Sequence, residues 1–337
     1  MRIKRVIEWV EKSSLDAVLI DHPVDLFYLT GLSVSIGKLA VTGTEAQLFL
    51  DGRYVERAKK EAPCQVSLSS KESLAHFLKG AKKVGFDSAY LSFDAFEMLR
   101  KDLPDKEWIP QPKPIKEFRA IKDAVEIEAL RKAARLTWAG YQEILSHVEE
   151  GVSEEELALV FELYCRKNGG GGLSFESNIS FGDHSAYPHY RAGKRRLKRN
   201  EIILMDVGSI VGHYRGDMTR VFFFGTVDPR LVEMGKRVEE AKSAVIEAIR
   251  PGIRFGELDK IARSLVKFDH GLSHGIGLEL HEYPTLRAQG GDSDIILQPG
   301  MVFSVEPGLY VPGLGGYRAE DTLLVTQKGS ENLYAQL

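Results

Sequence analysis

Gly151-Val152, followed by Glu156-Leu157, recurs as Gly252-Ile253, followed by Glu257-Leu258, at a constant offset of 101 residues. Each copy follows a long amphipathic segment and opens a second one, as a turn between two helices does. A chain that repeats such a junction is constrained to build two related helix–helix–sheet halves in this region.

The region before the repeat reads differently. Residues 1–110 alternate between helix-like and strand-like segments. Ala17-Val18-Leu19-Ile20 is a short buried-strand run, and Leu39–Thr42 and Ala46–Leu50 flank a Gly-containing turn as a hairpin would. Tyr54–Lys60 and Ser73–Lys79 are expected to be helical. Pro110, Pro112 and Pro114 then disfavour helix. The domain boundary is placed there, giving an N-terminal α/β domain at 1–115 and a second domain at 116–337. Asp123 with Glu126 forms a capping-box start for a long helix through Ile127, Leu130, Ala134, Tyr141, Ile144 and Leu145.

Composition narrows the function. Lys and Arg total 45 against 48 Asp and Glu, a net charge of −3, so no global basic field points to nucleic acid or an acidic membrane. The basic run Arg191–Arg199 is read as a solvated loop. Two cysteines, Cys64 and Cys165, exclude a disulfide framework and point to the cytoplasm. Met1–Ser14 has no apolar core of a signal peptide, and no uncharged stretch approaches a membrane span. Gly169–Gly172 lacks the Gly-Lys-Ser/Thr of a phosphate loop and is read as a turn after the Ser153–Lys167 helix.

Chemistry concentrates in the second domain, where six of the nine histidines lie between residues 184 and 281. Ile202–Met205 leads into Asp206, and Asp217 precedes the run Val221–Phe224, so two paired strands would set these carboxylates across from each other. Ser273-His274-Gly275 precedes His281-Glu282, Met301–Val305 leads into Glu306, and Arg318-Ala319-Glu320-Asp321 enters Thr322–Val325. On one strand, Arg318 and Glu320 would share a face and Asp321 would point away. A carboxylate at the end of an apolar strand is costly unless paired, hydrogen-bonded or metal-bound. Four such carboxylates with one imidazole suit two divalent cations, manganese best, with cobalt, zinc or iron possible. His22, His76, His147 and His270 have no partner at an informative spacing and are set aside. His184 and His213 could line a cleft, and Thr219 and Asp321 could support the ligands.

These segments carry a resemblance. Asp206-Val207-Gly208, Asp217-Met218-Thr219-Arg220, His274-Gly275-Ile276-Gly277, His281-Glu282-Tyr283-Pro284, Glu306-Pro307-Gly308-Leu309-Tyr310 and Arg318-Ala319-Glu320-Asp321 resemble the signature series of the Xaa-Pro peptidases. These are aminopeptidase P and prolidase, the pita-bread metallopeptidases. Tyr28-Leu29-Thr30-Gly31 and Asp51-Gly52-Arg53-Tyr54 are similar to the family's N-terminal domain, and Arg119–Glu126 to the entry of its catalytic domain. The resemblance implies an α+β fold: a small α/β N-terminal domain followed by a pseudo-symmetric pita-bread catalytic domain. It implies that Asp206 binds one cation, Asp217 and Glu320 bridge both, and His274 and Glu306 complete the other site. It also implies that His189 and His281 face the substrate, that Arg318 organises Glu320, and that subunits pair as a homodimer.

The implied substrates are short proline-containing peptides, cleaved at the N-terminal Xaa-Pro bond. Prolidases carry an arginine after the proline of the His-Glu-x-Pro motif to grip a dipeptide's carboxylate. Here that position is Thr285, with Arg287 two residues on. This favours the aminopeptidase over the dipeptidase. Other readings are a methionine aminopeptidase, which the large N-terminal domain disfavours, and a metal-free peptidase-like binding protein, which the intact ligand set disfavours.

Overall fold

The computed structural model describes residues 2–286 and 291–335. The chain divides into two compact units, residues 1–117 and 118–337.

The first unit runs α1 (Arg2–Lys12), β1 (Ala17–Ile20), α2 (Pro23–Thr30), β2 (Lys38–Thr42), β3 (Ala46–Leu50), α3 (Val55–Glu61), β4 (Gln65–Leu68), α4 (Lys71–Phe77), β5 (Lys83–Asp87), α5 (Phe93–Asp102) and β6 (Glu107–Gln111). Its six strands form one mixed sheet in the order β4-β3-β2-β1-β5-β6. The expected hairpin is β2–β3, with Val41 opposite Ala46 and Lys38 opposite Phe49. Ala17, Phe49, Leu78 and Val84 form part of a buried apolar cluster against this sheet. The fourth helix starts two residues earlier than its apolar pattern indicates, because the Ser70 hydroxyl accepts the Ser73 N–H at 3.1 Å and caps it. Pro110 lies inside β6 rather than ending regular structure. An edge strand tolerates a missing N–H on its open side, and β6 is an edge.

Short α6 (Lys116–Ala120) spans the division between units. The first half of the second unit contains α7 (Ala124–Ser146), α8 (Glu154–Lys167), β7 (Gly172–Leu173), β8 (Asn178–Phe181), β9 (Glu201–Val207), β10 (Ser209–Val211), β11 (Tyr214–Arg215) and β12 (Met218–Phe224). The second half contains α9 (Pro229–Ala248), α10 (Phe255–Leu265), β13 (Ser273–Gly275), β14 (Glu282–Leu286), β15 (Val302–Val305), β16 (Gly308–Val311), β17 (Gly315–Arg318), β18 (Asp321–Val325) and β19 (Ser330–Asn332). Asp123 opens α7 as expected: its carboxylate accepts the Val125 and Glu126 N–H groups, and Glu126 returns the contact to the Asp123 N–H, all at 3.0 Å.

The sequence echo is a structural repeat. Gly151 N–H donates to the Leu197 carbonyl at 2.9 Å and Leu197 N–H to Val152 at 2.8 Å. Gly252 N–H donates to Leu297 at 3.0 Å and Leu297 N–H to Ile253 at 2.9 Å. The turn glycines have φ of 93° and 89°, a conformation that excludes most other residues. Each half then supplies a sheet: β12-β9-β8 in the first, β14-β13-β15-β18-β19 in the second. Val238, Phe255, Leu258, Phe303 and Leu323 join α9 and α10 to the second sheet in one buried cluster. The basic run is held locally by Arg191–Glu176, Arg195–Glu201 and Arg199–Glu150 pairs.

Candidate metal centre

The β9–β12 ladder pairs Asp206 with Thr219 rather than with Asp217. Asp217 lies two residues before Thr219, just outside β12, so it reaches the same face diagonally. Thr219 fills the position opposite Asp206 and is fully buried. Arg318 and Glu320 do not share one strand either. Arg318 ends β17, Glu320 immediately precedes β18, and the chain passes from one sheet to another between them.

Side chains restore the convergence. Arg318 donates through Nη2 to Asp206 Oδ2 at 2.6 Å and through Nε to Thr219 Oγ1 at 3.1 Å. Thr219 in turn donates to Glu320 Oε2 at 2.8 Å. His274 lies in β13 with Nε2 3.5 Å from Asp217 Oδ2 and 3.4 Å from Glu306 Oε1. Its Nδ1 is 3.2 Å from the Gly275 carbonyl, which favours the proton on Nδ1 and leaves the Nε2 lone pair facing the carboxylates. Ser304 accepts the His274 N–H at 3.1 Å and donates to Glu306 Oε1 at 3.4 Å, fixing both residues. Asp321, by contrast, turns to Arg220 at 2.6 Å and Lys242 at 3.0 Å.

Asp217, His274 and Glu320 each offer a ligand atom within 4.8 Å of the others. Burial first, and then neighbouring carboxylates, push Asp217 and Glu306 well above the ordinary carboxylate range. The same causes raise Glu320 to about 7. Burial and the adjacent His281 lower His274 to about 3, so its imidazole is neutral. Asp206 Oδ1 and Glu320 Oε1 are buried and accept no hydrogen bond. Hard oxygen donors, one neutral imidazole nitrogen and two unused buried oxygens fit divalent cations.

A cavity of about 780 Å³ opens onto this set, and all eight singled-out residues line it: Asp206, Asp217, His274, Glu306, Glu320, His189, His281 and Arg318. The His281 ring stands edge-on to His274 with centroids 4.2 Å apart. Glu282, the next residue, is buried; that burial raises its pKa, but Lys122 and Arg119 outweigh it and hold the carboxylate below its ordinary range. Lys122 donates to Oε1 at 2.7 Å and Arg119 to Oε2. Thr285 donates its N–H to Asp292 Oδ2 at 2.9 Å and presents no cation to the cavity. Arg287 lies outside the described residues.

Sequence reasoning set aside His270, yet it lines the cavity. Its Nδ1 faces the Gly271 carbonyl at 2.7 Å, so Nε2 accepts from the Tyr310 hydroxyl at 3.0 Å. Its spacing carried no signal, because its partner Tyr310 lies 40 residues further along the chain. Asn178 was also missed; it pairs with Asp206 across β8–β9 and lines the cavity. His213 is exposed in a turn with φ of 74° and does not line the cavity.

Residues 128–327 match the model of metallopeptidase family M24, and residues 2–121 that of the creatinase/prolidase N-terminal domain. The Xaa-Pro dipeptidase of Pyrococcus horikoshii is 33% identical over 341 residues, covering 98% of this chain and 96% of that protein. A solved Xaa-Pro dipeptidase from Bacillus anthracis superposes with a TM-score of 0.94 at 31% identity, over 99% of this chain and 97% of its own. A solved X-Pro aminopeptidase from Thermotoga maritima gives 0.89 at 27% identity, over 99% and 98%.

Proposed function

We propose, from the premise that the chain belongs to metallopeptidase family M24, that it hydrolyses the Xaa-Pro bond at the N-terminus of short peptides, Xaa-Pro dipeptides first among them. The observation that carries this reading is the convergence of five donor side chains from both halves of one unit onto a single cavity. In this reading residues 1–115 form the N-terminal domain and 116–337 the catalytic domain. Preference for dipeptides is supported by the likeness to Xaa-Pro dipeptidases matched over 96–97% of their length.

Asp206, Asp217, His274, Glu306 and Glu320 would hold two divalent cations, manganese by preference, which when bound polarise the scissile carbonyl and activate water. The remaining work falls to the chain. Arg318 holds Asp206 through a charge-assisted hydrogen bond and, through Thr219, sets the rotamer of Glu320. His281, edge-on to His274, would donate a hydrogen bond to the carbonyl oxygen as negative charge builds there. His189, on the facing loop, orients the peptide. A homodimer in the cytoplasm completes the proposal.

Thr285 supports a second reading, the aminopeptidase. A dipeptide would bring its own carboxylate toward a neutral hydroxyl already beside Asp292, whereas a longer peptide carries no charge at that point. Hydrolysis of Ala-Pro, Ala-Pro-Gly and Ala-Gly by the manganese-loaded protein tests both. Cleavage of Ala-Pro with higher kcat/KM than Ala-Pro-Gly supports the dipeptidase, and the reverse order the aminopeptidase. Cleavage of Ala-Gly alone, or of none of the three, overturns the proposal.

A further inference from the structure

We propose that Glu154 is a positioning residue for His189, acting through the loop that carries that histidine. The inference rests on the reading of His189 as a substrate-side group.

Glu154 is the first residue of α8, and its side chain is 0% exposed. Its carboxylate accepts four hydrogen bonds, all from residues 181–193. Oε1 takes the Phe181 N–H and His184 Nδ1, each at 3.0 Å. Oε2 takes the Tyr190 hydroxyl at 2.8 Å and the Gly193 N–H at 3.1 Å. Capping of its own helix does not require this arrangement. Ser153 and Glu156 already form a capping box there, with contacts of 3.2 and 2.7 Å. A carboxylate removed from water is tolerated only when donors replace the water. Here every replacing donor is supplied by one loop, from both of its ends and its middle.

His189 lies within that loop, and both neighbours are fixed. The Pro188 carbonyl accepts from Asn178 Nδ2 at 3.1 Å and from Arg318 Nη1 at 3.3 Å. Tyr190 is tied to Glu154. The backbone of residue 189 is therefore clamped between the metal-side arginine and the buried carboxylate, with the imidazole lining the cavity. His184 is the fourth donor in this clamp. Loosening it would let the imidazole drift without removing any donor from the metal set.

The test is a double-mutant cycle on the manganese-loaded protein with Ala-Pro and Ala-Pro-Gly, using Glu154→Gln, His189→Ala and the pair. Displacing a positioned group by an ångström costs up to ~10²-fold. We expect Glu154→Gln to lower kcat by between roughly ten- and a hundredfold, to change KM far less and to leave the cation content intact. In the His189→Ala background the same substitution should change kcat by less than about twofold, because the group it acts through is gone. If Glu154→Gln fails to fold, Tyr190→Phe replaces it in the cycle. It removes one donor at nearly constant volume, with an expected loss of about tenfold and the same non-additivity. Multiplicative losses in the double variant, loss of cation on Glu154→Gln, or unchanged kcat would overturn the inference alone. Full activity of His189→Ala would overturn the reading of His189, and this inference with it.

Discussion

The Tyr334 hydroxyl accepts the backbone N–H of Asp217 at 3.1 Å, which ties the segment after β19 to the loop bearing a candidate metal ligand. Tyr334 is 4% exposed. The Arg220 guanidinium lies 5.7 Å from the ring centres of both Tyr334 and Trp138, and donates to the Glu320 carbonyl at 2.6 Å. One aromatic therefore supports the main chain at Asp217 directly and at Glu320 through Arg220.

Tyr334→Phe should leave the Asp217 N–H buried without that acceptor, at a cost of about 1–3 kcal/mol. Part of this cost should appear at the cations, weakening manganese binding by roughly 10–100-fold, as loss of a ligand's supporting contact does. Calorimetric titration of the apo protein reads it directly. An unchanged Kd would show that Tyr334 matters to stability alone.

Asp217→Ala and Glu320→Ala should each abolish turnover, since each removes a carboxylate from the centre of the donor set. Near-normal activity with stoichiometric metal in either variant would refute the assignment. Asp206→Ala should lose mainly one cation, which metal counting on the purified variant checks.

His281→Ala should keep its metals and lose most of its rate, by about 10²–10⁴-fold, the usual contribution of a hydrogen-bonding or acid–base group. Loss of metal in this variant would mean that His281 and His274 have exchanged roles.

Asp21, in the first unit, gives a pH dependence of stability. Burial is the largest cause raising its pKa from 3.8 to about 6, and its Oδ1 has no hydrogen-bond partner. As pH rises above 3.8 the unfolded chain ionises this group while the folded one does not, so stability falls until pH reaches about 6 and stays reduced beyond. Asp21→Asn should therefore raise Tm at pH 7–8 and lose that advantage near pH 3–4. The gain is bounded by about 3 kcal/mol and reduced by partial solvent access. A Tm difference independent of pH would contradict it.

The pseudo-repeat was legible in the sequence because a positive-φ glycine and an apolar partner leave a fixed trace at 151–157 and 252–258. The candidate ligands were legible because acidic residues ending apolar strands are conspicuous. Their pairing was not. Asp206 faces Thr219, and the chain changes sheet between Arg318 and Glu320; both facts follow from register and sheet change, which a one-dimensional spacing does not carry. Glu154 was hidden for a different reason. At the start of a helix it looks like an ordinary first-turn acid, and its four donors come from residues 27 to 39 positions away.

Asp206 and Asp217 come from the first repeat, and His274, Glu306 and Glu320 from the second. Neither repeat holds all five candidate donors, so in the proposed reading cation binding would require both. Ligands that bind only the joined state raise its stability by RT ln(1 + [L]/Kd). On the proposed ligand set, cations would bridge the two repeats, and chelation should lower the Tm of a manganese-loaded protein.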